Sequence, residues 1–214
     1  MIITIDGPVA SGKSSVANIL AERLGFCHVN TGLLYRAVAY VLSSCNAQLG
    51  TVSLDFISEI TYTFEQGVSI VRYRGHDITV HLKKTEFDQP ASQVSANSLV
   101  RQALLEVQYV MGKNFDIVAD GRDCGSVVYP DADYKFFLTA SLEIRAARLA
   151  KYLQDKTGQI QDASVLCSHI AERDKRDIER AISPLIVPAG AIVIDNGNMT
   201  IEQTVQAVMW HIKK

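Results

Sequence analysis

Gly7-Pro8-Val9-Ala10-Ser11-Gly12-Lys13-Ser14 follows the pattern G-x-x-x-x-G-K-S, a loop that wraps phosphate oxygens in backbone N–H groups. The residues on either side have the character such a loop needs. Ile2, Ile3 and Ile5 form a short β-branched run ahead of it, and Val16, Ile19, Leu20 and Leu24 recur at helical spacing behind it until Gly25. A glycine-rich turn between strand and helix aims several N–H groups and the positive helix end at one point. Gly7, Pro8, Val9, Ala10, Ser11, Gly12, Lys13, Ser14 and Ser15 are therefore the expected cradle of a nucleoside triphosphate. Lys13 is expected to reach the β- and γ-phosphates, and Ser14 to hold Mg²⁺ together with them.

Composition narrows the setting. A chain of 214 residues with a formal net charge of -2 is expected to form one domain with a sizeable core. The charge argues against a general nucleic-acid or membrane-surface binder, so an anionic ligand has to be held by local arginines. Residues 1–6 carry no charged, cleavable leader pattern, and no apolar run reaches the roughly 20 residues of a membrane span. Cys27, Cys45, Cys124 and Cys167 are scattered without metal-ligand spacing, which suits a reduced, cytoplasmic protein with neither zinc nor disulfides. The five histidines are unclustered and read as surface or packing residues.

Along the chain, residues 26–29 read as a second strand, and Asn30-Thr31-Gly32 as the cap of a helix carrying Leu33, Leu34, Ala37, Val38, Val41 and Leu42 on its apolar face. Tyr35 and Arg36 stand in its first turns; Arg36 is either a solvated charge or a clamp for a second phosphate. Residues 61–64, 68–73 and 77–82 are β-rich, with Gln66-Gly67 and Arg74-Gly75 as turns, so they predict a small antiparallel insert. A single helix is expected over 92–111 with Leu99, Val100, Leu104, Val107 and Val110 inward. Strands follow at 117–119 and 136–138, then a helix capped by Ser141 that runs to about Gly158, and another over 164–182. The strand at 192–194 and a capping box, Thr200-Ile201-Glu202-Gln203, complete the pattern; Ile201, Val205, Val208 and Ile212 are expected inward on the last helix.

Five apolar strands separated by helices predict an α/β fold: a five-stranded parallel sheet with helices on both faces, plus the antiparallel insert. The core is expected at about 1–50 and 87–214, the insert at about 51–86. Ligands of such sheets bind beyond the carboxyl ends of the strands, where the loop, Asn30-Thr31-Gly32 and Asp120-Gly121-Arg122-Asp123 all fall. At 100° per residue, Arg173, Asp177 and Arg180 share a sector of about 60° with Leu166 and Ile170. That face is either a charged lining of the cleft or a solvated row of ion pairs. Phosphoryl transfer favours the lining, because neutralising oxygen charge supplies most of its catalysis.

On these residues the chain resembles the bacterial cytidylate kinases, a branch of the nucleoside monophosphate kinases. The resemblance runs through residues 5–8, 13–14, 31–36, 91–94, 119–125, 172–174 and 180–185; Asp120-Gly121-Arg122-Asp123 and 172–185 are its most specific parts. It implies transfer of the ATP γ-phosphate to CMP or dCMP with Mg²⁺, in pyrimidine metabolism and in a monomer. It implies that Ser92, Arg101 and Asp123 read the cytosine edge, that Arg173 and Asp177 contact the sugar, and that Arg36, Arg122 and Arg180 contact the acceptor phosphate. Thr31 and Tyr35 belong to the same CMP-binding set. Lys13, Arg122, Arg173 and Arg180 are implied to be catalytic, and Arg148 to lie on the ATP side, with a lid at about 152–163.

Two positions depart from the family pattern: Lys83-Lys84 replaces Arg-Thr, and Leu149 replaces the second of two arginines. Other readings are a P-loop kinase for UMP or a pantoate-like acid, and a nucleotide-hydrolysing switch. The switch is disfavoured because the chain has no guanine-reading N-K-x-D.

Overall fold

The computed structural model describes residues 1–158 and 160–212; Gln159, within the expected lid, and Lys213 and Lys214 lie outside the described residues. The first element is β1 (Ile2–Asp6), followed by α1 (Lys13–Leu24), β2 (Cys27–Asn30) and α2 (Gly32–Ser44). The insert holds β3 (Ile60–Glu65), β4 (Val68–Tyr73), β5 (His76–Asp77) and the single turn α3 (Thr79–Leu82). Then come α4 (Asp88–Val94), α5 (Ser98–Asn114), β6 (Ile117–Gly121), β7 (Tyr134–Thr139), α6 (Leu142–Thr157), α7 (Ala163–Glu179), β8 (Ile192–Asp195) and α8 (Ile201–His211).

The main sheet is parallel, in the order β2-β6-β1-β7-β8, and β3-β4-β5 form a separate antiparallel sheet. Alternation along the strands builds two cores. Ile3, Ile5, Val118, Phe136 and Leu138 face α1 and α8, meeting Val16, Leu20, Val205 and Val208. Ile117, Ala119 and Val29 face the other way, toward Leu34 and Val38 of α2 and Val100 and Leu104 of α5. Burial on both faces explains why the strands read as continuous apolar runs. Ile60, Tyr62 and Val71 of the insert join this second core, so the insert is packed into the fold and not suspended from it.

Both insert turns are tight. Gln66 and Gly67 (φ 51° and 79°) and Arg74 and Gly75 (φ 51° and 78°) all adopt positive φ, the two-residue turn that matches strand twist. The expected strand at 77–82 is not formed. The Asp77 carboxylate accepts from Thr79 N (2.8 Å), and the Thr79 hydroxyl accepts from Val71 N (2.8 Å), so the chain leaves β5 after two residues and turns into α3.

The helix expected over 92–111 is two helices. Asn97 breaks it, its side chain accepting from Leu99 N and Val100 N to cap α5. The new helix rotates the face: Val100 and Leu104 are buried, whereas Leu99 and Val110 are exposed. Ile201 is likewise exposed, because it is the first residue after the Thr200 cap. The capping box itself is formed. Thr31 does not cap α2 through its hydroxyl, which instead donates to the Asp120 carbonyl at 2.9 Å. α7 ends at Glu179, short of the expected 182, and Arg180 is already extended (φ -61°, ψ 138°). Among the described residues no helix is long and apolar enough to cross a membrane.

Candidate active site

The carboxyl ends of β1, β2 and β6 open into a cleft of about 1110 Å³. Of the sequence-predicted residues, Val9, Ala10, Gly12, Lys13, Ser14, Ser15, Thr31, Tyr35, Arg36, Ser92, Arg101, Arg122, Asp123, Arg148, Arg173, Asp177 and Arg180 all line it. Gly7, Pro8 and Ser11 lie behind the lining and shape the loop. A Cβ on Gly7 would sit 2.2 Å from the Leu138 carbonyl oxygen, so the loop crosses β7 where only glycine fits. Ala10 (φ 57°) and Gly12 (φ 87°) take left-handed conformations, which turn the loop back toward the start of α1.

Lys13 is buried and its Nζ donates to the Pro8 carbonyl at 2.9 Å, arching over its own loop. Burial, and then the neighbouring positive charge of Arg122, lower its pKa to about 7, against the opposing pull of Asp120. Beside it, Ser14 Oγ donates to Asp120 Oδ2 at 2.5 Å, and His28 Nε2 lies 2.7 Å from Asp120 Oδ1. Burial alone would raise the Asp120 carboxyl. Hydrogen bonds from His28 and Ser14, with the charges of His28 and Lys13, outweigh it and hold the group below its ordinary value.

On the other wall, charges are paired and buried. The Asp123 carboxylate is gripped by Arg101 and lies 3.5 Å from Arg180, while Arg122 Nε donates to Asp177 at 2.7 Å. The early end of α7 matters here, because extended Arg180 reaches back to Asp123 and 3.6 Å from Asp177. Tyr35 lies under Arg101, with the guanidinium 5.3 Å from its ring centroid. Several donors remain free: Ser92 Oγ, Arg101 Nε and Arg173 Nε are buried without a protein partner. Buried polar atoms are seldom left so, and these line the cleft. Burial, and then the adjacent Arg122, push the Arg173 guanidinium down to about 10, against the opposing pull of Asp177 and Asp88.

Arg36 turns toward the insert: it donates to the carbonyls of Leu82 and Lys84 and pairs with Asp88. The Lys83-Lys84 departure thus falls where backbone carbonyls do the bracing, since Lys156 of α6 donates to the Lys83 carbonyl at 2.6 Å. Leu149, at the second departure, packs with Ala146, Leu166 and Ile170 beside Val9 and Ala10.

Sequence reasoning missed four residues. Asp120 was read only as part of its motif, although it meets Ser14. Asn196 donates to the Ser11 carbonyl (2.9 Å) and accepts from Arg148 (3.1 Å). Asp174 accepts from Val9 N at 3.0 Å and pairs with Arg145, tying α6 and α7 to the loop. His28, taken as a surface or packing residue, lines the cleft.

Asp6 carries a prediction. Buried beneath the site, it accepts from Cys124 N (2.9 Å) and Gly125 N (2.7 Å). Burial raises its pKa to about 6, the two N–H bonds only partly opposing it. The unfolded carboxyl loses its proton near about 3.9. Between these values the folded chain holds the extra proton, so the stability owed to Asp6 falls as pH rises from about 4 to about 6, by on the order of 1–3 kcal/mol, and levels off above. Urea unfolding across this range tests it: Asp6→Asn should flatten the pH slope whatever its absolute stability. An unchanged slope would assign the titration elsewhere.

The chain is similar to known proteins along its whole length. A family model described as cytidylate kinase matches residues 3–214. A cytidylate kinase of Marinomonas sp. is 39% identical over 212 residues, covering 97% of this chain and 93% of the relative. One of Pseudomonas fluorescens is 40% identical over 219 residues, covering 99% and 94%. The crystal structure of an uncharacterized protein from Eubacterium ventriosum aligns over 99% of this chain and 98% of that one, with a TM-score of 0.50 and 14% identity, a likeness of fold alone. With a whole-chain family match and close relatives along its full length, the chain belongs to the cytidylate kinase family.

Proposed function

We propose that the protein transfers the γ-phosphoryl group of ATP to CMP or dCMP, giving ADP and CDP or dCDP, as a monomer in cytoplasmic pyrimidine metabolism. The observation that carries the acceptor is the buried Asp123, clamped by Arg101 beside the unpartnered Ser92 hydroxyl. A carboxylate accepts from the cytosine N4 amino group, while arginine donates to N3 and O2. Uracil carries a donor at N3 and an acceptor at position 4, and so mismatches both.

The acceptor phosphate lies between Arg36, Arg122 and Arg180, and the sugar against Arg173 and Asp177. An acceptor oxygen attacks the γ-phosphorus in line, and the bond to the β–γ bridging oxygen breaks with its electrons leaving on ADP. Lys13, Arg122, Arg173 and Arg180 stabilise the charge on the transferring oxygens, which two mutually repelling anions demand. Arg148 with Asn196 borders the ATP side. A lid at 152–163, carried on the end of α6, excludes water that would otherwise take the phosphoryl group.

The residues present fit Mg²⁺. Ser14 in the first turn of α1 and Asp120 near the end of β6 offer hard oxygen atoms 2.5 Å apart, the donor chemistry this ion takes beside phosphates. Bound with ATP, the ion would neutralise charge on the β- and γ-phosphate oxygens. ADP release measured with CMP, dCMP, UMP, AMP and GMP tests the proposal. CMP or dCMP should exceed UMP in kcat/KM by about tenfold or more, and the purine nucleotides should be poorer still. Indifference to CMP would end this reading, and rapid ATP hydrolysis without an acceptor would favour a switch.

A further inference from the structure

His28 has no part in the assignments above, yet its ring is one hydrogen bond from the groups that meet the cation. It lies on β2, the outer strand of the sheet, two residues before Asn30. Asn30 is in register with Asp120, and His28 with Val118. Alternate residues share a strand face, so His28, Asn30 and Asp120 project to the same side.

That side is the site. Asp120 divides its oxygens, Oδ1 lying 2.7 Å from His28 Nε2 and Oδ2 accepting from Ser14 at 2.5 Å. An ionised carboxylate only accepts, so Nε2 carries the proton of that bond. Aspartate χ2 has broad, two-fold wells, and a donor on each oxygen is what removes that freedom. The His28 backbone is itself held. Its carbonyl accepts from Ser69 Oγ at 2.7 Å, Ser69 accepts from Tyr62 at 2.8 Å, and the Tyr62 oxygen accepts from Asn30 N at 3.1 Å. The ring therefore reaches Asp120 from an anchored strand, with its side chain largely buried.

We infer that His28 is a positioning residue for phosphoryl transfer: by donating to Asp120 it fixes the carboxylate rotation that presents Oδ2 to Ser14 and to the divalent cation of the ATP complex. The inference rests on the assignment of Ser14 and Asp120 to that cation. If His28 merely neutralised a buried carboxylate, its loss would weaken ATP binding equally with and without the cation. A positioning role confines the loss to the cation-bearing complex, since partners behind a ligating carboxylate tune metal affinity.

Calorimetric titration of ATP into wild type, His28→Phe and His28→Gln, in excess Mg²⁺ and again in EDTA, separates the two. Electron paramagnetic resonance of free Mn²⁺ in the presence of ATP gives a second readout independent of turnover. His28→Phe should weaken ATP binding with Mg²⁺ by about tenfold, raise free Mn²⁺, and leave ATP affinity in EDTA and CMP affinity unchanged. His28→Gln keeps an N–H donor at similar reach and should recover most of the loss, and His28→Leu, which has no donor, replaces the phenylalanine variant if that one folds poorly. Wild-type affinity of His28→Phe in Mg²⁺, or equal losses with and without Mg²⁺, would overturn the inference while sparing the cation assignment. Wild-type ATP binding that ignores Mg²⁺ would overturn that assignment and this inference together.

Discussion

Lys13→Ala should lower kcat with CMP by about a thousandfold and leave the protein folded, with thermal unfolding at or above the wild-type midpoint. The two halves have one cause. The ammonium is buried among arginines, and burial with Arg122 lowers its pKa to about 7, so the fold holds it at a cost. Its removal takes one donor from the Pro8 carbonyl, which keeps Ser11 N at 3.4 Å, and one of the charges that hold the Asp120 carboxyl down. During transfer the same ammonium faces oxygens whose charge it offsets, in a place too dry for solvent to substitute. Steady-state rates with melting curves check both halves. Wild-type turnover in the variant would remove the loop from the donor role, and a collapsed melting curve would contradict the accounting of burial.

Asp123→Ala should be the most damaging single change to stability in the acceptor half. The side chains of Arg101 and Arg180 are 5% and 4% exposed, and both turn to this carboxylate. Deleting this carboxylate leaves the Arg101 guanidinium buried without a counter-charge, while Arg180 keeps Asp177 at 3.6 Å, at a cost of about 3–5 kcal/mol. For a chain of this length that lowers the unfolding midpoint by about 10 °C. Asp123→Asn divides structure from recognition. It keeps the shape and one acceptor, so the midpoint should fall less. Its amide can donate to the uracil O4, so the preference for CMP over UMP should shrink by about tenfold. An unchanged CMP preference in that variant would take Asp123 out of base reading.

The elements that short-range pattern could reach were legible. Glycine at 25 ends α1 in a left-handed conformation (φ 69°), and the capping box starts α8. The failures were places where a short polar side chain overrode the apolar pattern. Asp77 and Thr79 turned a β-branched run into a helical turn, and Asn97 restarted a helix that its hydrophobic residues would have continued. Both signals were present, as an Asx turn and a cap, but apolar spacing outweighed them. The arginines and Asp123 could be named because they sit in family motifs. Asp120, His28, Asp174 and Asn196 could not be given roles, because each meets its partner across a long stretch of chain. Ser14 and Asp120 are 106 residues apart, and only the register of β2, β6 and β1 brings them together.

One consequence concerns the outer side of β2. Cys27 and Thr31 donate inward to the carbonyls of Asp116 and Asp120, so the His28 carbonyl and the Asn30 N–H point away from the sheet. A bare row of such groups is a template for strand addition by another molecule. Here hydroxyls fill it: Ser69 takes the carbonyl and Tyr62 the N–H. The segment next to the acceptor wall is thus also a guard against aggregation. A chain that shortened it would need another cover for the edge, or would meet its penalty as insoluble protein before any loss of chemistry could be measured.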